Sequence, residues 1–127
     1  MKRFILFLVL LLPLIVGCSS ERNVLTICSS LPLTGEGGGL NTRANSMSRG
    51  IQMAIDEQQT VSFAGTTYEL RYLALDGATE ERGGWDPARE EQNARAAIAE
   101  HDCIAYIGTY NSGAAKISMP ILNRAQL

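Results

Sequence analysis

The chain has 127 residues, 46% hydrophobic and 19% charged, with 11 basic and 13 acidic side chains and a formal net charge of −2. That length suits one small domain, and this balance of apolar and charged residues excludes a disordered or collagen-like chain. The net acidic charge speaks against a nucleic-acid partner, and 3 cysteines without metal-ligand spacing make neither a disulfide scaffold nor a zinc site.

Met1-Lys2-Arg3 is a positively charged start, and Phe4 to Val16 is an unbroken apolar run. The run is shorter than the roughly 18 residues that a membrane-spanning helix requires. A basic start, a short apolar stretch and a small residue before a cut site mark a secretory signal. Here the small residue is Gly17, and Cys18 follows it. Leu14-Ile15-Val16-Gly17-Cys18 resembles the bacterial lipobox. That resemblance implies a lipoprotein signal peptide over residues 1–17, cut before Cys18, whose sulfur takes a diacylglycerol. The mature protein, a lipoprotein bearing acyl chains such as palmitate, would be held extracytoplasmically on the bacterial membrane, each buried methylene contributing about 0.8 kcal/mol. Residues 18–23 read as a tether, and residues 24–127 as the folded part. Loss of Lys2 and Arg3 leaves the mature chain more acidic, which suits a soluble exported domain.

Val24 to Leu31 is rich in branched and apolar residues and precedes the turn-forming Pro32-Leu33-Thr34-Gly35, so it reads as a first strand. Asn41 to Gln58 carries Met47, Ile51, Ala54 and Ile55 at helical spacing. Residues 59–66 read as a connection. Tyr68 to Asp76 is a second strand, with Leu70, Tyr72 and Ala74 on one face and Glu69, Arg71, Leu73 and Leu75 on the other. Burial on both faces is expected only towards its end. A loop from Gly77 to Trp85 follows. Asp86-Pro87 starts the next helix, because Asp caps free amides and Pro suits the first helical position. That helix runs to about His101, with Ala94, Ala97, Ile98 and His101 as its apolar stripe and Glu91–Arg95 as a surface pair. Cys103 to Gly108 is a short apolar run, read as a buried third strand. From Ser112 a helix carries Ala114, Ile117, Ile121 and Leu122, with Pro120 expected to kink it.

Strands and helices alternating over such crossovers predict an α/β fold: a parallel sheet with helices on both faces. The chain stops at Leu127, where a further strand is due, and is read as truncated. Cys28 and Cys103 fall on strands that neighbour each other in a 2-1-3 order. Aligning the strand ends leaves their Cα atoms about 8 Å apart, beyond the limit of about 7 Å, which predicts two buried free thiols.

Ligands of open parallel sheets sit beyond the carboxyl ends of the strands. Thr109-Tyr110-Asn111-Ser112-Gly113 opens a helix directly after a strand, where free amides and the helix dipole favour an anion such as a carboxylate. Asn111 or Ser112 can instead cap that helix. The glycine-rich Gly35–Leu40 departs from a dinucleotide fingerprint, with Leu40 at the third glycine position and Asp76 too far on, and no lysine follows in phosphate-loop register. Asp56-Glu57 and Glu80-Glu81 read as solvated charges. His101 has no second histidine to join, so neither a catalytic centre, a metal site nor a cofactor is expected. Trp85 can cover a cleft or pack on its own loop.

These segments together look like the type I periplasmic binding proteins of branched-chain amino acid ABC transporters. The resemblance rests on Pro32-Leu33-Thr34-Gly35, on Arg49-Gly50-Ile51-Gln52-Met53-Ala54-Ile55, on Leu75-Asp76 and on Ile107-Gly108-Thr109-Tyr110-Asn111-Ser112-Gly113. It covers Asn23–Leu127 and implies the first half of the N-terminal lobe of a two-lobe binder. It further implies a non-enzymatic receptor that hands a branched-chain amino acid, or a similar small amphipathic solute, to ABC permease subunits. The serine at the position of Ser112 then meets the ligand's α-carboxylate, and the turn before it lines the cleft. A ligand-sensing ectodomain of the same fold is the alternative.

Overall fold

The computed structural model describes residues 23–35 and 39–127; the expected signal peptide, Cys18, the expected tether up to Arg22 and the middle of the Gly35–Leu40 turn lie outside the described residues. In chain order the elements are β1 (Val24–Leu31), α1 (Gly39–Gln58), β2 (Thr60–Phe63), β3 (Thr66–Asp76), β4 (Ala78–Thr79), β5 (Gly84–Trp85), α2 (Pro87–Ala99), β6 (Cys103–Ile107) and α3 (Ser112–Ala125). The main sheet runs β2-β3-β1-β6, and β4 and β5 form a separate ribbon. β1 is parallel to both neighbours, with Leu31 opposite Asp76 on one side and Ser29 opposite Ile107 on the other. The carboxyl ends of three strands therefore lie side by side, in the 2-1-3 order the sequence predicts.

The sheet is mixed, which corrects the all-parallel expectation. β2 pairs antiparallel with β3, Phe63 opposite Thr66. The segment read as a connection is the first arm of a hairpin, closed by Ala64 and Gly65 at φ 51° and 81°. Two consecutive positive φ values give the turn a twist that matches the flanking strands. Ala64 is not one of the residues that usually announce such a turn, so the signal was weak.

Neighbouring residues of a strand point to opposite faces. Ser29 Oγ and the Tyr72 hydroxyl share a hydrogen bond of 2.6 Å, and Tyr72 donates to Ser48 of α1 at 3.2 Å. Ser30 Oγ donates to Glu90 of α2 at 2.7 Å. Hence α1 covers one face, and α2, packed on α3, covers the other. β1 lies between them, and Cys28 to Leu31 are all buried.

The helix seams follow small and polar residues more than the apolar template suggests. In α1, Ala44 is fully buried, whereas Met47 is 45% exposed and Ala54 is exposed. Asn45 donates to the carbonyl of Leu33 at 2.8 Å and Asn41 to that of Gly35, so polar side chains share this seam. In α2 the buried residues are Glu90, Asn93, Ala94 and Ala97; Ile98 is 36% exposed, and His101 lies in the turn beyond Ala99. Asp86 caps α2 as expected, accepting the amide of Arg89 at 2.9 Å, and Arg95 pairs with Glu91 at 2.8 Å. In α3, Ala114, Ser118 and Leu122 are buried, and the helix continues through Pro120 to Ala125.

Two further expectations are corrected. β6 is not a buried strand but the edge of the described sheet, with Ile104 53% and Ile107 45% exposed. An apolar run reports apolar faces, not that a neighbour exists on both flanks. Cys28 and Cys103 are also not free thiols: they form a disulfide, with Cα atoms 6.2 Å apart. The register shifts between Thr26, opposite Cys103, and Ile27, opposite Ala105. Ile104 is thus an extra residue in β6. Such a bulge bends its strand, and it draws Cys103 closer to Cys28 than regular strands allow.

Candidate functional site at the carboxyl end of the sheet

Asp76 ends β3 and organises the turn after β1. Its Oδ1 accepts the amides of Leu33 at 2.8 Å and Ala78 at 2.9 Å, and its Oδ2 accepts the Thr34 hydroxyl at 2.5 Å. The acidic residue at the end of the second strand is therefore a loop clamp. The turn also leans on the β4–β5 ribbon. Gly35 has φ 98°, and a Cβ there would stand 2.9 Å from the carbonyl carbon of Gly83, so only glycine suits this position. A groove of about 490 Å³ opens beside this clamp, lined by Thr34, Asp76, Thr79, Glu80, Glu81 and Arg89. A larger groove of about 630 Å³ lies between α1 and the β2–β3 hairpin, away from these strand ends.

Below the turn a buried polar network joins β1, α2 and β6. Glu90 is 1% exposed. It accepts Ser30 Oγ at 2.7 Å and the Tyr106 hydroxyl at 3.1 Å, and Asn93 Nδ2 donates to Ser30 Oγ at 2.9 Å and to the carbonyl of Asp76 at 2.8 Å. Burial pushes the Tyr106 hydroxyl far above its ordinary pKa of 10.0; hydrogen bonding with Ser30 partly offsets this, and the Glu90 carboxylate reinforces it. Buried polar networks rigidify when every member is satisfied. Sequence reasoning missed Glu90, although it precedes Ala94 by four residues and Ala97 by seven, the spacing of the buried face.

The structure gathers Thr109, Tyr110, Asn111, Ser112 and Gly113 in one turn between β6 and α3, at this same end of the sheet. Their roles differ. Asn111 is the cap: its Oδ1 accepts the amide of Ala114 at 2.9 Å. Thr109 Oγ1 donates to the carbonyl of Asn111 at 2.9 Å and steadies the approach. Ser112 is the first residue of α3, and it is exposed. Among the described residues no hydrogen bond takes up the amides of Ser112 and Gly113, as the geometry of a first helical turn dictates. The turn therefore presents one hydroxyl and two free amides, a donor set that can receive a carboxylate. The far edge of the Trp85 ring lies against Gly113 of this turn. Among the described residues no group of three or more His, Cys, Asp or Glu side chains is placed to hold a metal ion.

No protein-family profile matches the sequence, and no curated protein does. Two solved structures do. The leucine-binding protein LivK of Thermotoga maritima matches 81% of this chain with a TM-score of 0.64 and 25% identity. A possible leucine/isoleucine/valine-binding protein of Rhodopirellula baltica matches 84% with a TM-score of 0.59 and 22% identity. In both cases the chain spans 26% of the other protein's length. The structural neighbours of this chain are thus type I periplasmic binding proteins, and its mixed sheet with flanking helices has the fold of part of such a two-lobe protein.

Proposed function

We propose that this chain belongs to an extracytoplasmic substrate-binding lipoprotein of an ABC importer, one that takes up leucine, isoleucine, valine or a similar small amphipathic solute and performs no chemistry on it. Residues 1–17 are the signal peptide, Cys18 carries the lipid, residues 18–23 form the tether, and residues 24–127 form the first part of the N-terminal lobe. The partners are the ligand, the permease subunits of the importer and the membrane that holds the acyl chains.

The observation that carries this reading is the coincidence of two features. The fold over 81% of the chain is shared with a leucine-binding protein. At the carboxyl ends of its strands the chain also holds a helix start with a free hydroxyl and free amides. In this reading Ser112 and the amides of Ser112 and Gly113 hold the α-carboxylate, and Thr109, Tyr110 and Asn111 line the cleft. Calorimetric titration of the longest product of the reading frame with leucine, isoleucine and valine tests it. Saturable heat with at least one of them is expected, and no heat with any of them removes the amino-acid reading.

A further inference from the structure

The first turn of α3 is braced from outside by one side chain. A Cβ placed on Gly113 would stand 3.2 Å from Cη2 and 3.6 Å from Cζ3 of Trp85, and 3.1 Å from Oδ1 of the cap residue Asn111. The benzene edge of the only tryptophan in the chain therefore abuts the backbone of the turn. Its Nε1 is buried and has no hydrogen-bond partner among the described residues. A buried indole N–H usually finds one, so packing and the backbone of β5, not a polar contact, set where this ring stands.

The ribbon that presents Trp85 is itself fixed to the other two loops. Trp85 pairs with Ala78 across the ribbon. Ala78 donates to Asp76, and the amide of Asp86 donates to the carbonyl of Gly77 at 2.9 Å. Asp76 in turn holds Leu33 and Thr34, and Gly35 abuts Gly83. Contacts thus run without a break from the turn after β1, through Asp76 and the ribbon, to the start of α3.

We propose that Trp85 is a positioning residue for the ligand turn: its ring sets the distance and tilt of the α3 N-terminus, so that Ser112 and the free amides stand where a carboxylate meets them. This role rests on the ligand site proposed above. Donors that grip a carboxylate must be held within about 0.5 Å of the productive geometry by a packed supporting shell. Ends of helices fray, and Trp85 adds packing to the support that the Asn111 cap gives the start of α3.

The test uses the full chain, with Trp85→Ala, Trp85→Phe and Gly113→Ala. In the absence of ligand, Trp85→Ala should speed amide hydrogen exchange at Ala114 and Ala115 at least tenfold and leave Leu73 in β3 within threefold of the parent. Trp85→Phe, whose shorter ring stays on the ribbon but ends short of Gly113, should fall between the parent and Trp85→Ala at Ala114 and Ala115. On titration with leucine, Trp85→Ala should weaken binding at least tenfold, and Trp85→Phe should weaken it less than Trp85→Ala. Gly113→Ala, which pushes on the same contact while Trp85 stays, should also weaken binding. Unchanged exchange at Ala114 in Trp85→Ala overturns the brace whether or not leucine binds. Faster exchange spread equally to Leu73 shows general destabilisation and overturns it too. A parent chain that protects Ala114 through Trp85 yet binds none of leucine, isoleucine and valine removes the ligand site, and the positioning role with it, while the packing contact stands.

Discussion

Asn111 caps Ala114: the side-chain oxygen of one accepts the backbone amide of the other at 2.9 Å, and Ser112, between them, takes no part. Capping, which the sequence leaves open between Asn111 and Ser112, thereby falls on Asn111 and leaves the Ser112 hydroxyl to the proposed ligand contact. Replacing a capping Asn by Ala costs about 1 kcal/mol. Asn111→Ala is therefore expected to lower stability in urea by about that much, whereas Ser112→Ala changes it by less than about 0.5 kcal/mol, the range of ordinary surface substitutions. Equal losses in the two variants would contradict this assignment.

Tyr106 makes stability sensitive to alkali. Its pKa is raised in the folded chain above the ordinary 10.0, first by burial. Below that ordinary value both folded and unfolded chains keep the proton. Above it the unfolded chain releases the proton while the folded chain retains it, so stability falls as pH rises, by up to about 1.4 kcal/mol per pH unit. Thermal melting between pH 9 and 11 should show this loss in the parent and a shallower one in Tyr106→Phe. Identical alkaline slopes would count against the buried position of the hydroxyl.

The Cys28–Cys103 disulfide links residues 75 apart in sequence. Closing a loop of that size removes enough unfolded-chain entropy to contribute about 4 kcal/mol. In a Cys18→Ser chain unfolded without reductant, a thiol reagent should find no free thiol, and adding reductant should lower the melting temperature. Two titratable thiols before reduction would show that the bridge does not form.

The order of strands and helices was legible because β1, α2 and α3 obey simple rules: an apolar run ended by proline, Asp86-Pro87 at a helix start, and apolar spacing after a polar turn. That Thr109–Gly113 joins a parallel strand to a helix start was legible for the same reason; that this turn is the ligand site stays a proposal. What was not legible is set by contacts distant in sequence. Glu90 looks like a surface acid until Ser30 and Tyr106 are placed beside it. Trp85 finds Gly113 only once the ribbon has folded. The bulge at Ile104 that brings Cys103 towards Cys28 carries no local signature. Met47 and Ile98 look like core residues but stay partly exposed, at 45% and 36%, where the α1 and α2 seams are partly polar.

Lipidation at Cys18 is open to a direct check. Metabolic labelling with a fatty acid is expected to mark the chain, and Cys18→Ser to abolish the mark. A mature protein recovered unlabelled from the soluble export fraction would contradict the lipobox reading and leave the fold untouched.

The central claim is that Ser112 meets the carboxylate of an amino acid. Hydrogen bonds to charged groups are worth about 1.5–3 kcal/mol, and about 1.4 kcal/mol is a factor of ten in affinity. The decisive measurement is a calorimetric titration of Ser112→Ala, beside the parent chain, with the branched-chain amino acid that the parent binds most tightly. The account predicts binding roughly tenfold to a hundredfold weaker, with the melting temperature unchanged because Asn111 holds the cap. Binding as tight as in the parent would contradict it.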